Sequence, residues 1–242
     1  MDLMWILAAF GIEGLALAGA ISVAVTRRMR VAFVTGFNSM AWVTGLFIWF
    51  EGNGPRVGLV AAMVGLYLLR MNWTLLLWSR ETAISKLERE TPKLQQVLLP
   101  FVIANAFGWG YCLPLYFAVR DPAPLSLHDG IGIAIYILGT VFHFGADYQK
   151  RRFKLRADTR GRLLDTGFWA ISRHPNYFGD FLIYVSFAVI GGSAWGWIAP
   201  LLNLLQYAFD AIPKNEKWAA ARYGAAWEGY RSRTKAFVPY LV

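Results

Sequence analysis

The residues best equipped for chemistry lie between His143 and Asp180. His143, Asp147 and Lys150/Arg151 fall one helical turn apart and so share a face. Arg162 precedes a turn signalled by Asp165-Thr166-Gly167. Arg173-His174-Pro175-Asn176 then opens another apolar helix. Pro175 suits a first helical turn, and Asn176 and Asp180 stack one turn apart beyond it. Two helix ends thus present carboxylates, an amide and several cations. Clustered Arg and Lys suit a polyanion such as a dinucleotide with phosphates, and Asn176 and Asp180 suit an amide or a ribose. For Lys150, Arg152, Arg156 and Arg160 taken singly, the basic loops of membrane proteins are explanation enough. No Gly-x-Gly-x-x-Gly follows a strand pattern and no P-loop is present, so helices must hold any nucleotide. The three histidines are far apart and the single cysteine, Cys112, lies in an apolar run, so no metal set is expected.

A second group sits inside apolar segments, where an ionisable side chain is expensive and marks function by default. Tyr67, Arg70 and Thr74 share one helical face. Arg70 either serves a ligand, or snorkels inward or pairs with Glu13. Asn38 sits at a depth similar to Tyr67 and either lines a cavity with it or makes a helix–helix hydrogen bond. Glu13 has no motif around it, and Glu51 sits at a span end in reach of water.

The elements that position these groups are membrane spans. Of 242 residues, 57% are hydrophobic and only 16% charged, against about 25% charged in a soluble domain. The charges gather in short blocks between long apolar runs. Seven spans are expected, near Leu3–Val25, Val31–Phe50, Val57–Trp78, Val97–Val119, Gly130–Ala146, Phe178–Gly192 and Trp195–Ile212. With the N-terminus outside and the C-terminus cytoplasmic, 21 of the 24 basic residues fall in inner loops, including Arg80 and Lys86; only Arg56 and Arg120 fall outside, and Arg70 lies within a span. The predicted class is an all-α, multi-pass helix bundle forming one membrane domain over residues 1–242. Its partners are the bilayer and a lipophilic small molecule. The net charge of +9 follows from topology and does not argue for nucleic acid. No cleavable signal peptide is expected, because the first apolar run is too long and has no basic start.

Asp147-Tyr-Gln-Lys-Arg-Arg-Phe-Lys154, then Gly167-Phe-Trp-Ala-Ile-Ser-Arg-His-Pro-Asn-Tyr-Phe-Gly-Asp180, and the tail Arg222-Tyr-Gly224, Trp227-Glu-Gly-Tyr230 and Lys235-Ala-Phe-Val-Pro239 resemble the C-terminal region of the steroid 5-alpha-reductase superfamily, DUF1295-like branch. The Arg-His-Pro-Asn-Tyr core is shared with isoprenylcysteine carboxyl methyltransferases. The resemblance implies a membrane oxidoreductase that reduces a carbon–carbon double bond of a sterol-like or prenoid enone with NADPH. Substrate-cavity helices would occupy residues 1–125, and cofactor-binding helices and loops 126–242. It assigns the cofactor to Arg70, His143, Asp147, Arg151, Lys154, Arg162, Asn176, Asp180 and Tyr223. Leu66-Tyr67-Leu-Leu-Arg70 resembles the motif of the family's catalytic tyrosine, which makes Tyr67 and Asn38 the catalytic candidates. The family pairs that tyrosine with a second-helix glutamate; here Phe37 or Asn38 stands in its place.

Two other functions fit the same residues. A methyltransferase would use S-adenosylmethionine, with Glu216 and the Tyr223–Tyr230 tail. That cofactor carries a sulfonium and no phosphate, so it does not need Arg151, Lys154 and Arg162 together. A non-enzymatic membrane protein would have no reason to keep Asp147, Asn176 and Asp180 at these spacings. The absence of a retention signal points to a bacterial inner membrane, or to the endoplasmic reticulum if the source is eukaryotic.

Overall fold

Inside hydrocarbon a backbone has no water to bond, so long apolar runs close their hydrogen bonds within helices. A computed structural model describes residues 2–78 and 88–241. Arg80 and Lys86 of the basic tally lie outside the described residues. Among the described residues, five helical segments are long and apolar enough to cross a membrane: α1 (Leu3–Thr26), α2 (Arg30–Glu51), α3 (Arg56–Leu77), the broken helix Lys93–Arg120, and α6 (Leu127–Leu155). The broken helix consists of α4 (Lys93–Asn105), a π turn (Ala106–Gly110) and α5 (Leu113–Arg120). Beyond α6 come the short α7 (Phe168–Ile171), α8 (Pro175–Gly191), α9 (Ile198–Gln206), a second π turn (Tyr207–Ala211), α10 (Ile212–Tyr223) and α11 (Ala225–Arg233). No strand occurs among the described residues.

The all-helical class holds. The sixth and seventh expected spans are helical but less regular: α8 has 17 residues, and α9 runs through a π turn into α10. α1 leaves Phe10, Leu17, Ile21 and Val25 exposed, and α3 leaves Leu66, Leu69, Trp73 and Leu76 exposed. Such helical-period apolar faces suit lipid contact.

The chain divides into two compact units, Met1–Gly130 with Phe187–Ala199, and Ile131–Ser186 with Pro200–Val242. In the first, α1 and α2 pack closely through small residues: a Cβ on Gly19 would lie 2.4 Å from Thr35 Oγ1. The π turn opens the carbonyl ladder, and neighbouring side chains reach into it. Ser39 Oγ donates to Ala104 O at 2.8 Å and Cys112 Sγ to Phe107 O at 3.1 Å. A buried fork fixes the other end of α3. Arg56 donates through Nε and Nη2 to the two oxygens of Asp129 at 2.7 and 2.8 Å, and through Nη1 to Ala123 O at 2.8 Å.

In the second unit α6 and α8 cross with backbones in contact. A Cβ on Gly139 would lie 2.7 Å from Gly179 O, and one on Gly179 would lie 2.2 Å from His143 N. No side chain fits at either position. Downstream of α6, Gly167 takes φ 62° at the predicted turn. Gln149 closes that turn by donating to Thr166 O at 2.9 Å and accepting from Phe168 N–H at 3.1 Å.

Gly179→Ala should therefore destabilise the protein by about 2 kcal/mol or more, through overpacking against backbone that cannot yield. Gly130→Ala, whose Cβ would meet nothing within 4 Å, should be neutral or slightly stabilising. Thermal unfolding of the two variants in detergent checks both expectations.

Candidate functional site

The α6–α8 crossing sets the polar residues of the two helices against one another. One turn beyond Gly139, His143 Nδ1 lies 3.3 Å from Asp180 Oδ1. One turn further, Asn176 Nδ2 donates to Asp147 Oδ1 at 3.1 Å. Asp180 Oδ2 also accepts from Asn203 Nδ2 at 3.0 Å and from Tyr207 O–H at 2.6 Å. His143, Asp180 and Asn203 are all buried. A buried carboxylate is tolerated only with such hydrogen bonding. Spacing singled out His143, Asp147, Asn176 and Asp180, and the structure brings all four together.

Spacing does not mark Asn203, Tyr207 or Asn215. Asn203 is an amide within the apolar run of α9 and is recognisable by that alone. Tyr207 opens the π turn, and its ring stacks on Tyr177 at 4.4 Å, which stacks on His174 at 5.3 Å. Asn215 Nδ2 donates to Tyr177 O–H at 2.8 Å.

A second buried knot adjoins the first through His174. Arg173 donates through Nε and Nη2 to Glu216 Oε1, both at 2.8 Å. Its Nη1 donates to Thr234 O, and its backbone N–H to Lys235 O at 2.8 Å. His174 Nε2 lies 3.4 Å from the same Glu216 oxygen. Burial pushes the His174 imidazole below its ordinary pKa, against the raising pull of Glu216. Burial would raise the Glu216 carboxyl, but hydrogen bonds from His174 and Arg173 outweigh it and hold its pKa low. Glu216 is thus committed within the protein. Tyr230 O–H, donating to Trp169 O at 2.5 Å, and Ser172 Oγ, donating to Phe237 O at 2.8 Å, tie the tail to the same turn.

The remaining positions are less enclosed. Arg151 is half-buried, whereas Lys154 and Arg162 are exposed. Tyr223, at the end of α10, carries the Arg222 guanidinium 5.4 Å from its ring centroid. Two buried amide oxygens, Asn176 Oδ1 and Asn203 Oδ1, have no hydrogen-bond partner among the described residues. Free acceptors beside carboxylates, with cations on the adjoining helix end, form a donor–acceptor set that fits the amide, hydroxyls and phosphates of a nicotinamide dinucleotide.

In the first unit Tyr67 is 2% exposed and meets the Phe37 ring edge-on at 6.4 Å. Phe37 in turn packs on Phe107 at 4.3 Å. Asn38 bonds Asn72, not Tyr67: its Nδ2 donates to Asn72 Oδ1 at 3.1 Å and to Val34 O at 2.7 Å. Nor does Arg70 pair with Glu13. Glu13 accepts from Asn105 Nδ2 at 2.9 Å, next to the first π turn, while Arg70 is half-buried and donates to Met71 Sδ.

A family described as "Protein of unknown function (DUF1295)" matches residues 20–234. Curated relatives include a Delta(14)-sterol reductase of Ascobolus immersus, 24% identical over 212 residues, covering 79% of this chain and 48% of the relative. That of Mus musculus is 28% identical over 155 residues, 54% of this chain and 34% of the relative. That of Methylotuvimicrobium alcaliphilum is 26% identical over 157 residues, 52% of this chain and 36% of the relative. The chain thus spans half or less of the length of these relatives.

The knot also carries a pH dependence. Both the His174 and Glu216 pKa values are lowered on folding, so below the ordinary values the unfolded chain binds more protons. Stability is complete above about pH 6.5 and falls as pH drops, first through His174 and then, below about pH 4.5, through Glu216. His174→Asn should flatten the loss of thermal midpoint between pH 7 and 5, whereas an unchanged slope would remove His174 as its source.

Proposed function

The chain belongs to the DUF1295 family, within the steroid 5-alpha-reductase superfamily, and from that premise we propose that it is an NADPH-dependent membrane reductase of a carbon–carbon double bond in a lipophilic, sterol-like or prenoid enone. The observation that carries this reading is the set Asp147–Asn176, half-buried, and His143–Asp180–Asn203–Tyr207, buried apart from the half-buried Tyr207. A merely structural cluster would close all of its hydrogen bonds; this one leaves two buried amide oxygens open to a ligand's N–H or O–H donors. The names of the Delta(14)-sterol reductases support a sterol-like substrate and reduction as the reaction.

In this reading Asp147, Asn176 and Asp180 bind the amide and hydroxyl groups of the cofactor, and His143 holds the Asp180 carboxylate in place. Arg151, Lys154 and Arg162 neutralise its phosphates. NADPH, when bound, supplies the hydride. Tyr67 donates a hydrogen bond to the substrate carbonyl oxygen and stabilises the negative charge that develops there. With Phe37 or Asn38 where the family has a glutamate, and Asn38 turned to Asn72, this polarisation rests on the Tyr67 hydroxyl alone. Its aromatic surroundings lower the local dielectric and strengthen that hydrogen bond. Asn38, turned to Asn72, supports the position of α3 and acts on Tyr67 only through it. Arg70 and Tyr223 are secondary cofactor contacts. The protein resides in a bacterial inner membrane or, in a eukaryote, in the endoplasmic reticulum.

Tyr67→Phe should abolish enone-dependent NADPH oxidation while leaving NADPH affinity unchanged; full turnover would remove Tyr67 from the mechanism. Arg162→Ala should weaken NADPH binding several-fold and Arg156→Ala should not. Equal losses from both would mean that the basic loop acts only through bulk charge.

A further inference from the structure

The C-terminal end of α6 carries a second polar feature, on a different face from the cofactor set. A cleft of about 450 Å³ opens there, lined by Tyr148, Arg152, Phe153, Arg156, Leu164 and Thr166, with Gln149 at its side. None of these residues belongs to the Asp147–Asp180 cluster. Arg152 lies about 100° around the helix from Arg151.

We propose that this cleft is a binding site for the headgroup of an anionic phospholipid, a single phosphodiester attached to acyl chains. The first argument is position. α6 has 29 residues, about 43 Å at 1.5 Å per residue, against about 30 Å of hydrocarbon. Its apolar run ends at Ala146, so Tyr148 to Arg156 emerge where headgroups lie.

The second argument is chemistry. Phe153 and Leu164 give the cleft an apolar floor, and Arg152, Arg156 and the Thr166 hydroxyl give it a polar rim, as an amphiphile requires. Arg156 is oriented by a fork to Asp158, with Nε–Oδ1 at 3.1 Å and Nη2–Oδ2 at 2.6 Å. The exposed Arg152 has the Tyr148 ring, 5.9 Å from its guanidinium carbon, as its partner and no carboxylate among the described residues. Its fork of N–H donors is free to take a phosphate bidentately.

The third argument is charge. Of the two cations in the lining, Arg156 is committed to Asp158, which leaves Arg152 as the cation available to a ligand. That matches a phosphodiester monoanion and is too little for a dinucleotide with several phosphates. Gln149 holds the wall rigid through Thr166 O and Phe168 N, so little ordering is required on binding.

The test uses the delipidated, full-length protein in neutral detergent. It is titrated with phosphatidylglycerol, with phosphatidylcholine of the same chain length and with inorganic phosphate, and read as a thermal-stability shift. Phosphatidylglycerol should raise the midpoint and the other two should not. Arg152→Gln should weaken the phosphatidylglycerol response about fivefold. Arg160→Gln, an exposed cation outside the cleft, should leave it unchanged. No shift with phosphatidylglycerol, an equal shift with phosphate alone, or an equal loss in Arg160→Gln would each overturn the proposal. NADPH binding, measured on the same Arg152→Gln sample, should be unaffected, which separates this site from the cofactor reading.

Discussion

The arrangement of the polar cluster depends on two glycines. Gly139 and Gly179 let the backbones of α6 and α8 touch, with distances from ideal Cβ positions to neighbouring backbone of 2.7 and 2.2 Å. Any side chain there would drive the helices apart. Side-chain hydrogen bonds have a reach of about 3 Å, so even a modest separation would break His143 from Asp180 and Asn176 from Asp147. A steric condition in the apolar part of the crossing thus becomes an electrostatic one a turn or two away.

Once the helices cross, each buried charge needs a partner, and the chain supplies them from sequence-distant elements. Asp180 is completed by α9 and the π turn after it, through Asn203 and Tyr207. Arg173 is completed by α10 and by the carbonyls after α11, through Glu216 and Thr234. The stacked rings His174, Tyr177 and Tyr207 connect the two knots. Removing one member of such a set leaves another buried and unpaired, which costs more than the interaction itself contributes. The tail is therefore part of the site's scaffold, held to the Arg173–His174 turn.

Much of this was legible in the sequence, for identifiable reasons. The first five spans are apolar runs with few charges, Glu13 and Arg70 among them, so hydropathy marks them; α8 and the α9–α10 segment are shorter and interrupted, and composition defines them poorly. His143 with Asp147, and Asn176 with Asp180, are i and i+4 pairs, a spacing that local geometry preserves. Asn203, Tyr207 and Asn215 have no spacing relation to those pairs and enter only through tertiary packing. The π turns leave no composition signal. Asn38 takes the helix–helix alternative of the two that its depth allows, and its partner is Asn72 on α3. Glu13 likewise finds Asn105, a residue distant in sequence with no spacing relation to it.

The most direct test of the cofactor assignment is a binding titration of the detergent-purified protein with NADPH and with S-adenosylmethionine, read as a thermal-stability shift. A site built from Asp147, Asn176 and Asp180 with Arg151, Lys154 and Arg162 at its edge predicts saturable stabilisation by NADPH and none by S-adenosylmethionine. Stabilisation by S-adenosylmethionine alone, or by neither ligand, would contradict it.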